Sequence, residues 1–114
     1  MDIDPTGNWD LTYMFLAGCG QSAGTATDTF TVTLTPDGYA VSASGASTTG
    51  TLLCTPDSCK LSAVFAWSDA SMQYQESANM VLDADDNITG NGTVYATDGT
   101  TACNLVFTVT GSRS

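Results

Sequence analysis

One carboxylate in this chain stands where a carboxylate is costly. Met72, Tyr74, Glu76, Ala78, Met80 and Leu82 form an every-second-residue row that is otherwise free of charge. A Glu turned toward an apolar interior must find a hydrogen-bond donor or take up a proton, because an unpaired buried charge is expensive. Such a group can anchor a polar or cationic part of a ligand, with Tyr13 and Tyr74 as further orienting hydroxyls. The competing expectation is a β-bulge that turns Glu76 back to water. General-acid work would need a second polar partner, and the sequence identifies none.

Other chemistries are poorly supplied. The chain has no His, so neither a Ser-His nor a Cys-His pair can form. Its four Cys include no Cys-x-x-Cys pair, which argues against zinc. Asp83-x-Asp85-x-Asn87 has oxygen ligands at the opening spacings of a calcium loop but lacks the sixth-position Gly, and Val94 stands at the twelfth. A solvated hairpin loop is the better reading, so no metal and no cofactor are expected.

The 114 residues suit one domain spanning 1–114. Lys60 and Arg113 face twelve acidic residues, for a net charge of -10. Phosphate backbones and anionic lipid surfaces repel such a chain, so nucleic acid is not an expected partner. No apolar run reaches membrane-spanning length. Four Cys in a small His-free domain point to two disulfides and an oxidising compartment, secreted or periplasmic. Met1-Asp2 ahead of Ile3-Asp4-Pro5 reads as an expression start replacing an export signal, with a lipid anchor on the removed sequence as one option.

The elements that must position Glu76 are strands. In Gly7 to Phe15 the odd positions Trp9, Leu11, Tyr13 and Phe15 are large and apolar, a period of two. Seven more segments of this kind follow, joined mainly by short turns, so an all-β, eight-stranded antiparallel up-and-down barrel is expected. After a loop from Cys19 to Thr27, a strand from Asp28 folds back about Thr35-Pro36-Asp37-Gly38, setting Leu34 against Tyr39, Val32 against Val41 and Phe30 against Ala43. A four-residue turn, Ser68 to Ser71, pairs Trp67 with Met72, Phe65 with Tyr74 and Ala63 with Glu76. Asp98-Gly99, a strong two-residue hairpin signal, sets Val94 against Cys103 and Gly92 against Leu105.

Closure requires the first strand to pair with the last. Antiparallel partners share a constant sum of residue numbers, and one register joins Cys19 with Cys103, Phe15 with Phe107, Tyr13 with Val109 and Trp9 with Arg113. The Cys54 to Cys59 hairpin brings its own two cysteines face to face. The expected disulfides are therefore Cys19 with Cys103 and Cys54 with Cys59.

In this setting the chain resembles the lipocalin and avidin group of small barrels, the calycins. Gly7-Asn8-Trp9 is similar to the Gly-x-Trp of their first strand, and Arg113 to the cation that crosses that Trp from beyond their last strand. The resemblance implies that Trp9 and Arg113 shut one end. The other end, with the 19–27 loop and the turns near Gly45, Asp69 and Gly99, would then be the mouth.

The expected function is capture of a small apolar or aromatic molecule by Tyr13, Phe15, Phe30, Phe65, Trp67, Met72, Tyr74, Glu76 and Leu105. The alternative is a secreted interaction protein, such as a barrel-type protease inhibitor, whose interior is full. A pocket-templated enzyme is a third class without catalytic residues to point to. Outward Met14, Leu16, Val64, Val81, Tyr95 and Val106 would offer a homo-oligomer contact if they cluster.

Overall fold

Alternating apolar and Thr- or Ser-rich segments have one low-energy arrangement, strands with one wet face and one dry face. The computed structural model describes residues 3–114, so the reading of Met1-Asp2 lies outside it. Eight strands follow in order: β1 (Gly7–Phe15), β2 (Gly24–Thr35), β3 (Gly38–Ser42), β4 (Ser47–Cys54), β5 (Ser58–Asp69), β6 (Met72–Asp83), β7 (Asn87–Thr97) and β8 (Ala102–Arg113). They form a single antiparallel sheet in the order β3-β2-β1-β8-β7-β6-β5-β4. No helix among the described residues is long and apolar enough to cross a membrane.

The closing register is the expected one: Trp9 pairs with Arg113, Tyr13 with Val109 and Phe15 with Phe107. Both disulfides form, Cys19 with Cys103 at a Cα–Cα distance of 5.8 Å and Cys54 with Cys59 across the β4-β5 turn. The barrel is nearly closed rather than sealed. β3 and β4 are the two edges of the sheet and share no ladder, so a seam runs between them. At this seam the hydroxyl Oγ1 of Thr48 is buried without a hydrogen-bond partner.

Two hairpins differ from the sequence expectation, each by two residues. Between β5 and β6 the turn tightens to Ala70-Ser71, with Ala70 at φ 49°, so Trp67 pairs with Tyr74, Phe65 with Glu76 and Ala63 with Ala78. Between β7 and β8 it lengthens to residues 98–101, so Val94 pairs with Leu105 and Gly92 with Phe107. The Asp98 carboxylate holds that longer turn by accepting from the Thr100 and Thr101 N–H groups at 2.8 and 2.7 Å. A shift of two leaves every side chain on its expected face.

β2 begins four residues earlier than expected, at Gly24, because its first half pairs with β1 out to Gly24 against Phe15. Leu34 keeps the parity of Phe30 and Val32 yet is 70 % exposed, since β2 runs past the core there. The Phe30 to Ala43 pair does not form, because β3 stops at Ser42.

The lower interior is solid. Trp9, Val32, Cys59, Leu61, Met80, Leu82, Ile88 and Val109 are buried together. Each large side chain removed from water contributes about 1.5–3 kcal/mol. Gly92 makes room for this packing, since a Cβ there would lie 2.7 Å from Phe107 Cζ. Below the core, Arg113 closes the floor. Its guanidinium lies 4.4 Å from the centroid of the Trp9 ring and donates to the carbonyls of Asp4 and Thr6, while Nε donates to Asp86 Oδ1 at 3.0 Å. The Trp9 indole N–H donates to the Pro5 carbonyl at 2.9 Å.

On the outer surface Met14, Leu16, Val81, Tyr95 and Val106 are exposed, whereas Val64 is half-buried. Leu16 and Val106 are neighbours, joined by a backbone hydrogen bond of 2.9 Å.

Candidate functional site

Above the solid floor the interior stays open, and Glu76 marks the transition. It sits on β6 between Phe65 of β5 and Val94 of β7, with its side chain inward and only 7 % exposed. No bulge turns it out, because β6 pairs without interruption with β5 and β7 on either side. Three strands away around the wall, Tyr13 of β1 points into the same space and donates its hydroxyl to Glu76 Oε2 at 3.1 Å. Among the described residues, no other group donates to this carboxylate.

Burial pushes the Glu76 carboxyl up from its ordinary 4.5 to about 7. The Tyr13 hydrogen bond opposes that rise and the negative charge of Asp28 adds to it. Tyr13 is pushed up as well, by burial first and then by the adjoining Glu76 charge, so its hydroxyl stays a donor at neutral pH.

Two connected spaces share Tyr13, Asp28, Trp67 and Glu76. The inner one, of about 150 Å³, is walled by Leu11, Phe30 and Phe65 and roofed by the Ala43 to Ala46 link between β3 and β4. The outer one, of about 480 Å³, opens to the mouth between Phe15, Tyr74, Val94 and Leu105 and the 21–28 segment. Trp67 and Tyr74, paired across β5 and β6, stack with centroids 5.3 Å apart and planes at 15°. Tyr13, Phe15 and Phe107 pack against one another, Phe107 meeting Tyr13 edge-on at 5.0 Å. The site therefore has aromatic walls and one buried polar contact, the Tyr13-Glu76 pair, with polar residues including Asp28 toward the rim.

Of the residues singled out from sequence, Tyr13, Phe15, Phe30, Phe65, Trp67, Tyr74, Glu76 and Leu105 line these spaces. Met72 does not: it pairs with Asp69 at the first rung after the β5-β6 turn, beyond the cavity. Asp28 is the addition. It shares the parity of Phe30 and Val32, which is the signal that places it on the inner face of its strand. It now stands at the rim, exposed, facing the same volume as Glu76.

Among the described residues no three His, Cys, Asp or Glu side chains are grouped to hold a metal ion. Asp83 instead caps its own turn, its Oδ1 accepting from the N–H groups of Asp85 and Asn87 at 2.9 and 3.0 Å. No family model, curated protein or solved structure matches the chain.

Proposed function

We propose that this protein is an extracytoplasmic, lipocalin-like barrel that holds a small apolar or aromatic molecule in its upper half. The observation that carries this reading is a cavity enclosed by aromatic side chains above a packed floor, with a single hydrogen-bonded polar pair inside it. Ligand sites are usually of this kind, mostly apolar surface with a few placed polar groups. The Gly7-Asn8-Trp9 start and the Arg113 stack support a likeness to lipocalins and avidins in how the floor is built. Two disulfides support an oxidising, secreted or periplasmic setting.

The test is native mass spectrometry of protein expressed in rich medium, followed by titration of whatever mass is retained. Replacing Trp67 or Tyr74 by Ala should weaken that ligand by about tenfold or more, since each removes one face of the stacked pair. Retention unchanged in both variants would place the ligand elsewhere. Protein that never retains a small mass, and binds none in screening, would favour the alternative of an interaction protein acting through its outer surface.

A further inference from the structure

The cavity contains negative charge and, among the described residues, no cation to balance it. Glu76 lies inside and Asp28 at the rim, and both border the inner and the outer space. The chain's two basic side chains are committed elsewhere. Arg113 is held on the floor by Asp86 at 3.0 Å. Lys60 lies on the outer face, paired with Leu53 and Val81.

The other elements around Glu76 add no cation either. β1 presents the Tyr13 hydroxyl and β2 presents Asp28, while Tyr74 stands one rung up on β6 itself. β5 offers Phe65 and Trp67, β7 Val94 and β8 Leu105, all without charge. One Glu76 oxygen is occupied by Tyr13, and the other has no donor among the described residues. Aromatic side chains, Trp67 and Tyr74 among them, line the walls beside it, and aromatic rings attract a desolvated cation.

We propose that the cavity is selective for an organic monocation, a protonated amine on a small flat apolar body, with its ammonium at the carboxylates of Glu76 and Asp28 and its body against Trp67 and Tyr74. This rests on the ligand-binding reading above and narrows it. An ammonium supplies the donors the free Glu76 oxygen lacks and the charge that makes ionising Glu76 inside the barrel tolerable. A carboxylate ligand meets two like charges instead, which disfavours the common anionic amphiphiles. The strong negative charge of the whole chain acts in the same direction, concentrating cations near the mouth.

Protonation of Glu76 removes the anchor, so amine binding weakens as pH falls through about 7. Asp28, exposed at the rim of the same space, supplies the rest of the attraction.

Three probes of one shape decide the matter by calorimetry on the intact, disulfide-bonded protein: 2-phenylethylamine, 2-phenylethanol and 3-phenylpropionate. At about pH 8 the amine should bind at least about tenfold tighter than the alcohol, and the acid weakest of the three. The amine's affinity should fall several-fold or more by about pH 5.5 while the alcohol's stays level. E76Q should remove most of the amine's advantage without weakening the alcohol. D28N, at an exposed position, should cut it several-fold and serves if E76Q does not fold. An alcohol that binds as tightly as the amine, an acid that binds tightest, or amine affinity indifferent to both variants would overturn cation selectivity and leave the ligand-binding reading standing. No binding by any probe, together with no retained mass in the native spectrum, would overturn both.

Discussion

The hydroxyl of Tyr13 and the carboxylate of Glu76, 63 residues apart in sequence, meet across the barrel in a buried hydrogen bond of 3.1 Å. This contact ties β1 to β6 through the interior, independently of the sheet ladder that joins them around the wall. It also defines how far the packed floor extends, because a buried carboxylate with one donor is a poor neighbour for further apolar packing.

Stability should depend on pH through this group. Glu76 binds its proton more tightly in the folded protein, at about 7, than at its ordinary 4.5. The extra stability is therefore fully present below about pH 4.5 and is lost as pH rises through about 7, a loss of up to about 3 kcal/mol. Asp4 and Asp98, which backbone N–H donors hold below their ordinary 3.8, act in the opposite sense and only at more acid pH. Urea unfolding followed from pH 5 to pH 8 should show the decline in the native protein and a flat profile in E76Q. A native profile that rises over this range would contradict a buried Glu76.

Removing the donor should move the acceptor. The Tyr13 hydrogen bond holds the Glu76 carboxyl down against burial, so in Y13F that carboxyl should titrate above about 7. Carbon-detected NMR of the Glu76 side chain reads this directly. The variant should also lose about 1–2 kcal/mol where Glu76 is ionised, because a buried acceptor has lost its one donor among the described residues. A titration that moves down, or not at all, would mean the hydrogen bond is not formed in solution.

The two disulfides should differ in weight. In the chain-entropy picture, the Cys19–Cys103 bridge, with a sequence separation of 84, stabilises by about 4.6 kcal/mol. The Cys54–Cys59 bridge, with a separation of 5, contributes about 2 kcal/mol. Paired Cys to Ser replacements compared by denaturant midpoint should show the larger loss for the long bridge. Equal losses would show that strain or residual structure outweighs loop length.

Arg113 should matter for the fold and leave the cavity untouched. R113M keeps an aliphatic stem over Trp9 but removes the cation and the donors to Asp4, Thr6 and Asp86, costing about 2–3 kcal/mol. R113K, which keeps charge but not the fork, should fall between. Ligand affinity should be unchanged in both, since the residue lies beneath the packed floor and the ligand space above it.

Gly92 should tolerate no side chain. G92A places a methyl against the Ser77 carbonyl of β6 and the Phe107 ring of β8, and overpacking of this kind costs about 1–3 kcal/mol by thermal unfolding. An Ala variant as stable as the native protein would show that β7 can shift away from both β6 and β8.

What the sequence determined by itself was everything that depends on parity and on end-to-end register. Alternation of side chains has a period of two, so Trp9, Tyr13, Phe30 and Phe65 could be assigned to one face without knowing a single partner. The pairing of β1 with β8 was legible because cysteines and aromatics at the two ends fix the same register several times over. What only the tertiary structure decided were the features parity cannot distinguish. Sliding a strand by two residues keeps every face, so Tyr74 rather than Met72 lies beside Trp67 because of the β5-β6 turn, with Ala70 in a left-handed conformation. In the same way Leu105 rather than Cys103 lies beside Val94 because Asp98 caps a longer β7-β8 loop. The β5-β6 register moved Met72 out of the cavity. The seam between β3 and β4, the inward aim of Glu76 and the arrival of Asp28 beside it likewise depend on how eight twisted strands close around one volume. Those relationships join residues far apart in the chain, and no local pattern carries them.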